Sequence, residues 1–163
     1  MSGARKVRSD PMLSWSRPTV RNMALSRNER EAFLAEPHIA ALSIEAGPDR
    51  APLVVPIWYQ YEPGGRPWFL TGTTSRKLEL IRAAGRCTLM VETLEPSIRY
   101  VAVSGQVEGY SDGTREQLTE MAARYLPEDK VAGYVEFASA DHGDQTKVVL
   151  SPEQWISSDL GSV

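Results

Sequence analysis

A chain of 163 residues, 42% of them apolar and 24% charged, has the size and composition of one globular domain with a single core. The net charge of −3 gives no basis for nucleic-acid binding, and no apolar run approaches the ~18 residues that a membrane-spanning helix needs. The sequence shows no secretion signal, and its only cysteine, Cys87, permits no internal disulfide. We therefore expect a cytoplasmic protein without a membrane or nucleic-acid partner, in which Cys87 is a buried structural thiol.

Residues 1–30 are rich in arginine and lysine and contain only Asp10 and Glu29 as acids. A transit peptide or a nucleic-acid-binding arm has a similar composition, but this segment has no clear amphipathic period. We interpret residues 1–22 as a flexible basic arm, free or wrapped around a partner, and residues 23–163 as the folded domain.

The first predicted elements are a helix and a strand. Ser26 and Glu29 have the spacing of a capping box, in which the serine oxygen accepts from a backbone N–H and the glutamate reaches back. A short helix is therefore predicted over residues 27–35. His38 to Ala46 has the pattern of a strand that ends at a turn begun by Gly47.

A β-hairpin is predicted next. Leu53 to Tyr61 is rich in β-branched and aromatic residues, and the turn at residues 62–65 leads from it into a third strand, Pro67 to Thr71. Pro56 cannot donate a ladder hydrogen bond, so we expect the second strand to lie at a sheet edge or beside a ligand.

A helical segment separates this hairpin from a second pair of strands. Thr73 to Ala84 has helical periodicity, and Gly85 is the expected C-terminal stop. Arg86 to Thr93 and Arg99 to Tyr110 are predicted strands, and Gly105 indicates a bulge or a close backbone approach.

Helices precede one last strand. Asp112 or Thr114 can cap a helix that runs to Tyr125, Glu128 to Ala138 forms another, and Lys147 to Leu150 is the last predicted strand. Hairpin-linked strands with helices set to one side predict an α+β, mainly β fold built on an antiparallel barrel or sheet. No Gly-rich fingerprint opens a helix after a strand, so a Rossmann unit is not expected.

The segment from Thr71 to Lys77 has the composition of an anion-binding helix start. A strand ends in glycine and hydroxyl residues and leads into a helix whose first turn offers free backbone N–H groups and the positive end of the helix dipole. Arg76 supplies a planar pair of donors, Lys77 a point charge and Ser75 a hydroxyl. An ordinary capped helix with solvated basic residues explains these residues equally well.

The second predicted strand offers an apolar and aromatic surface beside this segment, on which a planar heteroaromatic ring would fit. A plain core strand explains the same pattern. The residues concerned are Val54, Val55, Pro56, Ile57, Trp58 and Tyr59.

Together, these segments resemble the pyridoxamine 5'-phosphate oxidase-like flavin-binding split barrels. The resemblance runs from about Ser26 to the end of the chain and is specific as a set of motifs, although each motif is weak alone. Its motifs are Val54 to Tyr59, Leu70 and Thr71 followed by Ser75 to Lys77, and Arg99 to Gly105. The resemblance implies an antiparallel split β-barrel with peripheral helices.

The resemblance also implies roles for these residues in cofactor binding. The strand from Val54 to Tyr59 would line the isoalloxazine ring, with Thr71 near the ring or the ribityl chain. Arg76 and Lys77 would hold the terminal phosphate. Leu70 and Ser75 belong to the same motif and are expected to bind the cofactor as well.

A homodimer follows from the same resemblance, because such cofactors usually lie in a cleft between two subunits. Tyr100 or Trp155 would then contact the cofactor from the partner chain. FMN is the expected cofactor, and coenzyme F420, which related split barrels bind in the same groove, is the alternative.

The expected function is an oxidoreductase that transfers hydride to or from a small substrate, with no side chain required as nucleophile or general base. The basic and histidine residues that hold the substrate of true pyridoxamine phosphate oxidases have no clear counterpart near the C-terminus, so vitamin B6 oxidation is not expected. Two alternatives remain: a non-catalytic cofactor or haem binder, with His38 and His142 as candidate axial ligands, and a structural dimer with a degenerate site.

Overall fold

The fold is α+β and mainly β in the computed structural model, which describes residues 23–141 and 143–161. The predicted basic arm over residues 1–22 lies outside the described residues. The elements in chain order are α1 Arg27–Ala35, β1 Ala40–Ile44, β2 Leu53–Ile57, β3 Trp68–Gly72, α2 Arg76–Ala84, β4 Arg86–Thr93, β5 Arg99–Asp112, α3 Arg115–Tyr125, α4 Glu128–Asp141 and β6 Gln145–Asp159.

All six of these strands belong to one antiparallel sheet with the order β2-β1-β4-β5-β6-β3. The sheet is curled into a half-barrel, and the helices lie around it, which confirms the predicted antiparallel split barrel with peripheral helices. Pro56 lies on β2 and pairs with Ala41 of β1. β2 is an edge strand of the sheet, as the proline predicted.

Local capping signals predicted the helix ends well. Ser26 accepts from the Glu29 N–H, and the Glu29 carboxylate accepts from the Ser26 N–H, so the predicted capping box forms. Helix α2 begins later than predicted, with Ser75 as its N-cap, and ends at Gly85, whose φ of 67° places it in the left-handed region. Thr114 is the N-cap of α3.

The predicted hairpin between the second and third strands is wrong. The turn itself forms, because the Gly65 N–H donates to the Glu62 carbonyl at 2.8 Å. However, β2 pairs with β1 and β3 pairs with β6, and a single bridge between Gln60 and Trp68 joins the segments next to the turn. The chain leaves the sheet after Ile57, and β6 offers β3 a longer partner.

The last strand is also much longer than the predicted Lys147 to Leu150. β6 continues through Pro152 because its pairing with β5 shifts register between Ser104 and Gly105. Glu153 is the extra residue of this bulge, and Pro152, which lacks an N–H, lies next to it and opposite Gly105. A Cβ at Gly105 would lie 1.7 Å from the Ser151 carbonyl oxygen, so only glycine fits this close approach. The predicted role of Gly105 is confirmed.

One hydrophobic core covers a face of the sheet together with α1 and α2. Tyr59, Phe33 and Phe69 are its largest fully buried side chains, and the Tyr59 hydroxyl donates to the Leu34 carbonyl at 2.7 Å. Cys87 is buried in the same core, as predicted. A smaller apolar cluster joins α3 to α4. No helix in the described part of the chain has the length and apolarity needed to cross a membrane.

Candidate functional site

The N-terminal end of α2 is built from a tight turn and a serine cap. The Ser75 N–H donates to the Gly72 carbonyl at 2.9 Å, and the Ser75 hydroxyl accepts from the Leu78 N–H at 3.3 Å. Thr71, at the end of β3, lies 3.0 Å from the same hydroxyl, oxygen to oxygen. The earliest N–H groups of a helix have no partners inside it, so this end of α2 presents donors and a positive partial charge.

The two basic residues of this turn differ in their surroundings. Arg76 is exposed and forms an ion pair with Glu79, one turn along the helix. Lys77 is half-buried and lines a cavity, and no carboxylate in the described residues forms an ion pair with it. Lys77 therefore brings an uncompensated positive charge into the cavity.

This cavity has a volume of about 510 Å³, within the range of cofactor and substrate pockets. Strands β2 and β3 and the segment after β2 form one side, and α3 and α4 cover it from the other side. Its lining residues are Ile39, Pro56, Ile57, Trp58, Leu70, Thr71, Gly72, Lys77, Leu118, Met121, Tyr134 and Gln145. Among these described residues, Lys77 is the only one with a formal charge at neutral pH, so the cavity favours anions.

Trp58 supplies the aromatic part of the wall and is held by two tyrosines. Its ring stacks on Tyr125 of α3, with centroids 4.9 Å apart and an interplanar angle of 11°, and lies 5.1 Å from the ring of Tyr134 of α4. The phenol of Tyr134 is protonated at neutral pH and can donate a hydrogen bond, and burial raises its pKa further.

The hydroxyl of Tyr125 fixes the backbone where β2 leaves the sheet. It accepts from the Tyr59 N–H at 3.0 Å, and it lies 2.9 Å from the Tyr59 carbonyl and 3.0 Å from the His38 carbonyl, to which it donates. Burial raises the pKa of Tyr125, which keeps this hydroxyl a donor. After Ile57, where the pairing of β2 with β1 ends, the backbone is thus held by a side chain of α3.

Six of the sequence-predicted site residues line this cavity. They are Pro56, Ile57, Trp58, Leu70, Thr71 and Lys77. Ser75 stands behind them as the helix cap, bonded to Thr71.

The remaining predicted site residues lie elsewhere in the chain. Tyr59 is fully buried in the core, Val54 is 59% exposed on the sheet edge, and Val55 packs against the core. Tyr100 lies on β5 opposite Glu92 and Ser158. Trp155 lies beside a different cavity, and Arg76 points to Glu79.

Sequence reasoning missed the residues that cover the cavity from above. Leu118, Met121 and Tyr134 belong to helices that were predicted only as peripheral, and Gln145 begins β6. The apolar positions of α3 recur at helical spacing, which signals a packed face but does not say against which strand it packs.

Comparison with known proteins supports the architecture described above. Residues 26–159 match the model of the family described as pyridoxamine 5'-phosphate oxidase. No curated protein matches the sequence.

Solved structures with the same fold share little sequence with this chain. A conserved hypothetical protein from Mycobacterium tuberculosis has a TM-score of 0.61 at 18% identity, covering 85% of this chain and 87% of its own. An F420 reductase has a TM-score of 0.54 at 22% identity, covering 77% and 94%. A FAD-binding protein from Mesorhizobium loti has a TM-score of 0.56 at 18% identity, covering 82% and 94%. At such identities the likeness shows the fold.

Proposed function

Because this chain belongs to the pyridoxamine 5'-phosphate oxidase family, we propose that it is an oxidoreductase that binds a flavin-type cofactor in the cavity between β2, β3 and the α3–α4 pair. FMN is the cofactor proposed first, and coenzyme F420 is the alternative. The observation that carries the proposal is that Lys77 and Trp58 border the same cavity.

The residues present suit a ligand that combines a phosphate with a planar ring. Lys77 and the first N–H groups of α2 would hold the phosphate, with the Thr71 and Ser75 hydroxyls beside them. The ring would lie along the segment from Pro56 to Trp58, where the wall is apolar and the edge strand leaves backbone groups free. Phosphate and ring would thus bind at neighbouring parts of one cavity.

When bound, such a cofactor supplies hydride transfer as its own chemistry. The chain's residues bind and orient: Lys77 compensates the phosphate charge, and Trp58 is held flat by Tyr125. Leu118 and Met121 are largely buried above the cavity and exclude water from it. Tyr134 lines the cavity, and its phenol, protonated at neutral pH as in any tyrosine, would donate a hydrogen bond to the substrate. The substrate is proposed to be a small molecule.

Haem binding receives less support from the described residues. The ring of His38 packs on Phe33 with centroids 4.4 Å apart, and its Nε2 lies 3.2 Å from the Glu36 carboxylate. His38 does not line the cavity. His142 lies outside the described residues.

The test is a titration of cofactor-stripped protein with FMN and, separately, with F420, followed by the change in cofactor fluorescence. Lys77→Gln should weaken binding of the true cofactor at least ~10-fold, because a charge-assisted contact to phosphate is lost. Lys130→Gln is the matched control, since Lys130 lies on α4 beside Asp129 and outside the cavity. If neither cofactor binds the wild-type protein, the oxidoreductase proposal is wrong.

We also propose that the chain is a homodimer that joins through the outer face of its sheet. Residues opposite one another in antiparallel strands share a face, so the register defines this surface from β2 to β6. Its central, uncharged residues are Val54, Pro56, Ala41, Ser43, Thr88, Met90, Ala102, Ser104, Tyr100, Gln154 and Ile156. The same register places two charged residues, Arg86 opposite Gln106 and Glu92 opposite Tyr100, at the two ends of β4 on this face. The uncharged centre favours burial against a second copy of the same face.

The outer face is also connected to the candidate site. Pro56 belongs to the outer face and lines the cavity, so a second copy seated on this face would border the cavity opening. Val54 and Ile156, near the two ends of the face, are 59% and 62% exposed in the single chain. A partner chain is the simplest cover for both. The dimer would therefore complete the cofactor site as well as shield the sheet.

A further inference from the structure

A second cavity, of about 630 Å³, lies at the opposite end of β3 from the candidate site. Its wall is formed by α1, by the turn that leads into β3 and by the bulged part of β6. Among the residues that the structure describes, none lines both cavities. A ligand here would bind independently of the proposed cofactor.

Three arginines and one carboxylate line this second cavity. Arg27 pairs with Glu31, Nε to carboxylate oxygen at 2.8 Å, and Arg66 pairs with Glu108. Arg30 has no carboxylate partner anywhere in residues 23–141 and 143–161. Its charge is therefore the one that the surrounding acids leave uncompensated in this cavity.

Arg30 is held in a fixed orientation. Its guanidinium lies over the indole of Trp155, 4.7 Å from the ring centroid, and Trp155 in turn contacts the ring of Tyr61 edge-on. Stacking occupies the flat face of a guanidinium and leaves its in-plane N–H groups free to donate. The Nε atom is shielded from solvent and has no hydrogen-bond partner among the described groups, an arrangement that buried donors rarely keep.

We propose that this second cavity binds a small organic molecule through an oxyanion group, carboxylate or phosphate, with Arg30 as the principal donor. The oxyanion compensates the charge of Arg30 and accepts from its in-plane N–H groups. The cavity is much larger than a bare ion needs, and Tyr61 and Trp155 offer apolar surface for the body of the ligand. Arg27 and Arg66 are held by their own ion pairs, which leaves Arg30 as the donor available to the ligand.

The test follows the Nε–Hε signals of arginine in ¹⁵N-labelled protein during titration with benzoate, with AMP and with adenosine as the uncharged control. The Lys77→Gln variant is used throughout, so that phosphate binding at the first cavity does not contribute. The Arg30 signal, assigned by its loss in Arg30→Lys, should shift with benzoate, AMP or both, and stay in place with adenosine. A response to only one anion identifies the preferred oxyanion.

Substitutions of Arg30 and Arg50 distinguish a specific binding site from a general electrostatic attraction of anions to the protein. Arg30→Gln should weaken anion binding ~10-fold or more, and Arg50→Gln, which changes an exposed arginine on the turn before β2, should leave it unchanged. Arg30→Lys keeps the charge without the planar donors and serves where Arg30→Gln does not fold. The proposal is overturned by an Arg30 signal that no probe shifts at millimolar concentration, or by equal losses in the Arg30 and Arg50 variants.

Discussion

The Trp58 indole and the Tyr125 phenol lie nearly parallel, with ring centroids 4.9 Å apart and an interplanar angle of 11°. The Tyr125 hydroxyl also bonds the backbone of Tyr59, the next residue along the chain. One side chain of α3 thus holds both an aromatic ring of the cavity wall and the backbone that carries it.

Removing the Tyr125 hydroxyl should cost stability even though the ring stack survives. Tyr125→Phe leaves the Tyr59 N–H without its acceptor, and we expect the free energy of unfolding in urea to fall by about 1–2 kcal/mol. Tyr125→Leu should lose about 0.5–1.5 kcal/mol more with the stack. Tyr110→Phe is the control, because that ring contacts Arg82 on a different part of the molecule. A Tyr125→Phe variant as stable as the wild type would show that the hydroxyl does not contribute to the free energy of unfolding.

The two basic residues at the start of α2 should contribute unequally to cofactor binding. Lys77 borders the cavity, whereas Arg76 is exposed and paired with Glu79. We expect Arg76→Gln to weaken FMN binding only a few-fold and Lys77→Gln at least ~10-fold, measured by fluorescence titration. Equal losses would mean that Arg76 turns away from Glu79 when the cofactor binds.

A charge on the outer face should dissociate the proposed dimer. Ile156→Lys places an ammonium at an exposed apolar position of this face, and we expect sedimentation equilibrium to show a monomer where the wild type is a dimer. Leu94→Lys is the matched control, because Leu94 is 71% exposed in the connection between β4 and β5. Two variants with unchanged dimer mass would exclude the outer face as the contact surface.

Two glycines of β5 allow a direct test of the bulge. Gly105→Ala places a Cβ against the Ser151 carbonyl, and we expect a loss of about 3 kcal/mol or more in the free energy of unfolding, if the variant folds. Gly109 has open space at its Cβ position, so Gly109→Ala should change stability by less than about 1 kcal/mol. Similar losses at both positions would mean that the strand simply disfavours alanine.

Cys87 should make the protein less stable in alkaline solution. Burial raises the pKa of the Cys87 thiol to about 12, whereas the thiol of the unfolded chain titrates near ~8.5. As pH rises, the thiol of the unfolded state therefore loses its proton first. The contribution of the buried, protonated thiol to the free energy of unfolding is full below about pH 8.5 and decreases as pH rises towards 12.

The slope from this single group is at most about 1.4 kcal/mol per pH unit. Cys87→Ala should lower stability at neutral pH through the small cavity and make the decrease between about pH 8 and about pH 10 shallower than in the wild type. Urea unfolding of the wild type and of Cys87→Ala, each at about pH 8 and at about pH 10, measures this difference in the free energy of unfolding. Parallel pH profiles would show that the thiol does not contribute.

Local signals in the sequence predicted local structure, but they did not predict which distant strands pair. The caps at Ser26 and Gly85 and the edge position of Pro56 follow from the chemistry of single residues, so they could be predicted. The pairing of β3 with β6 depends on competition between distant strands, for which the turn at residues 62–65 gave the wrong answer.

Some residues of the candidate site could likewise be predicted from local sequence, and others could not. Lys77 and Trp58 could be predicted because one follows a recognisable helix start and the other belongs to an aromatic strand segment. Tyr125 and Tyr134 contribute through the packing of α3 and α4 over β2, and nothing in their neighbours along the chain indicates that position. Six predicted residues thus lie at this cavity, the residues that cover it were not predicted, and a role in cofactor binding stays a prediction for all of them.

The pairing of β3 with β6 sets the time at which this cavity can exist during synthesis. Trp68 pairs with Val149 and Gly72 with Gln145, so the partner strand of β3 has not yet been synthesised when β3 and α2 leave the ribosome. Contacts between such distant residues form late, because a long stretch of chain must first be ordered. Until then β3 is an unpaired edge with an apolar face, the kind of surface that chaperones shield. Binding of the proposed cofactor would therefore follow translation of the strand from Gln145 to Asp159 and would not guide the folding before it.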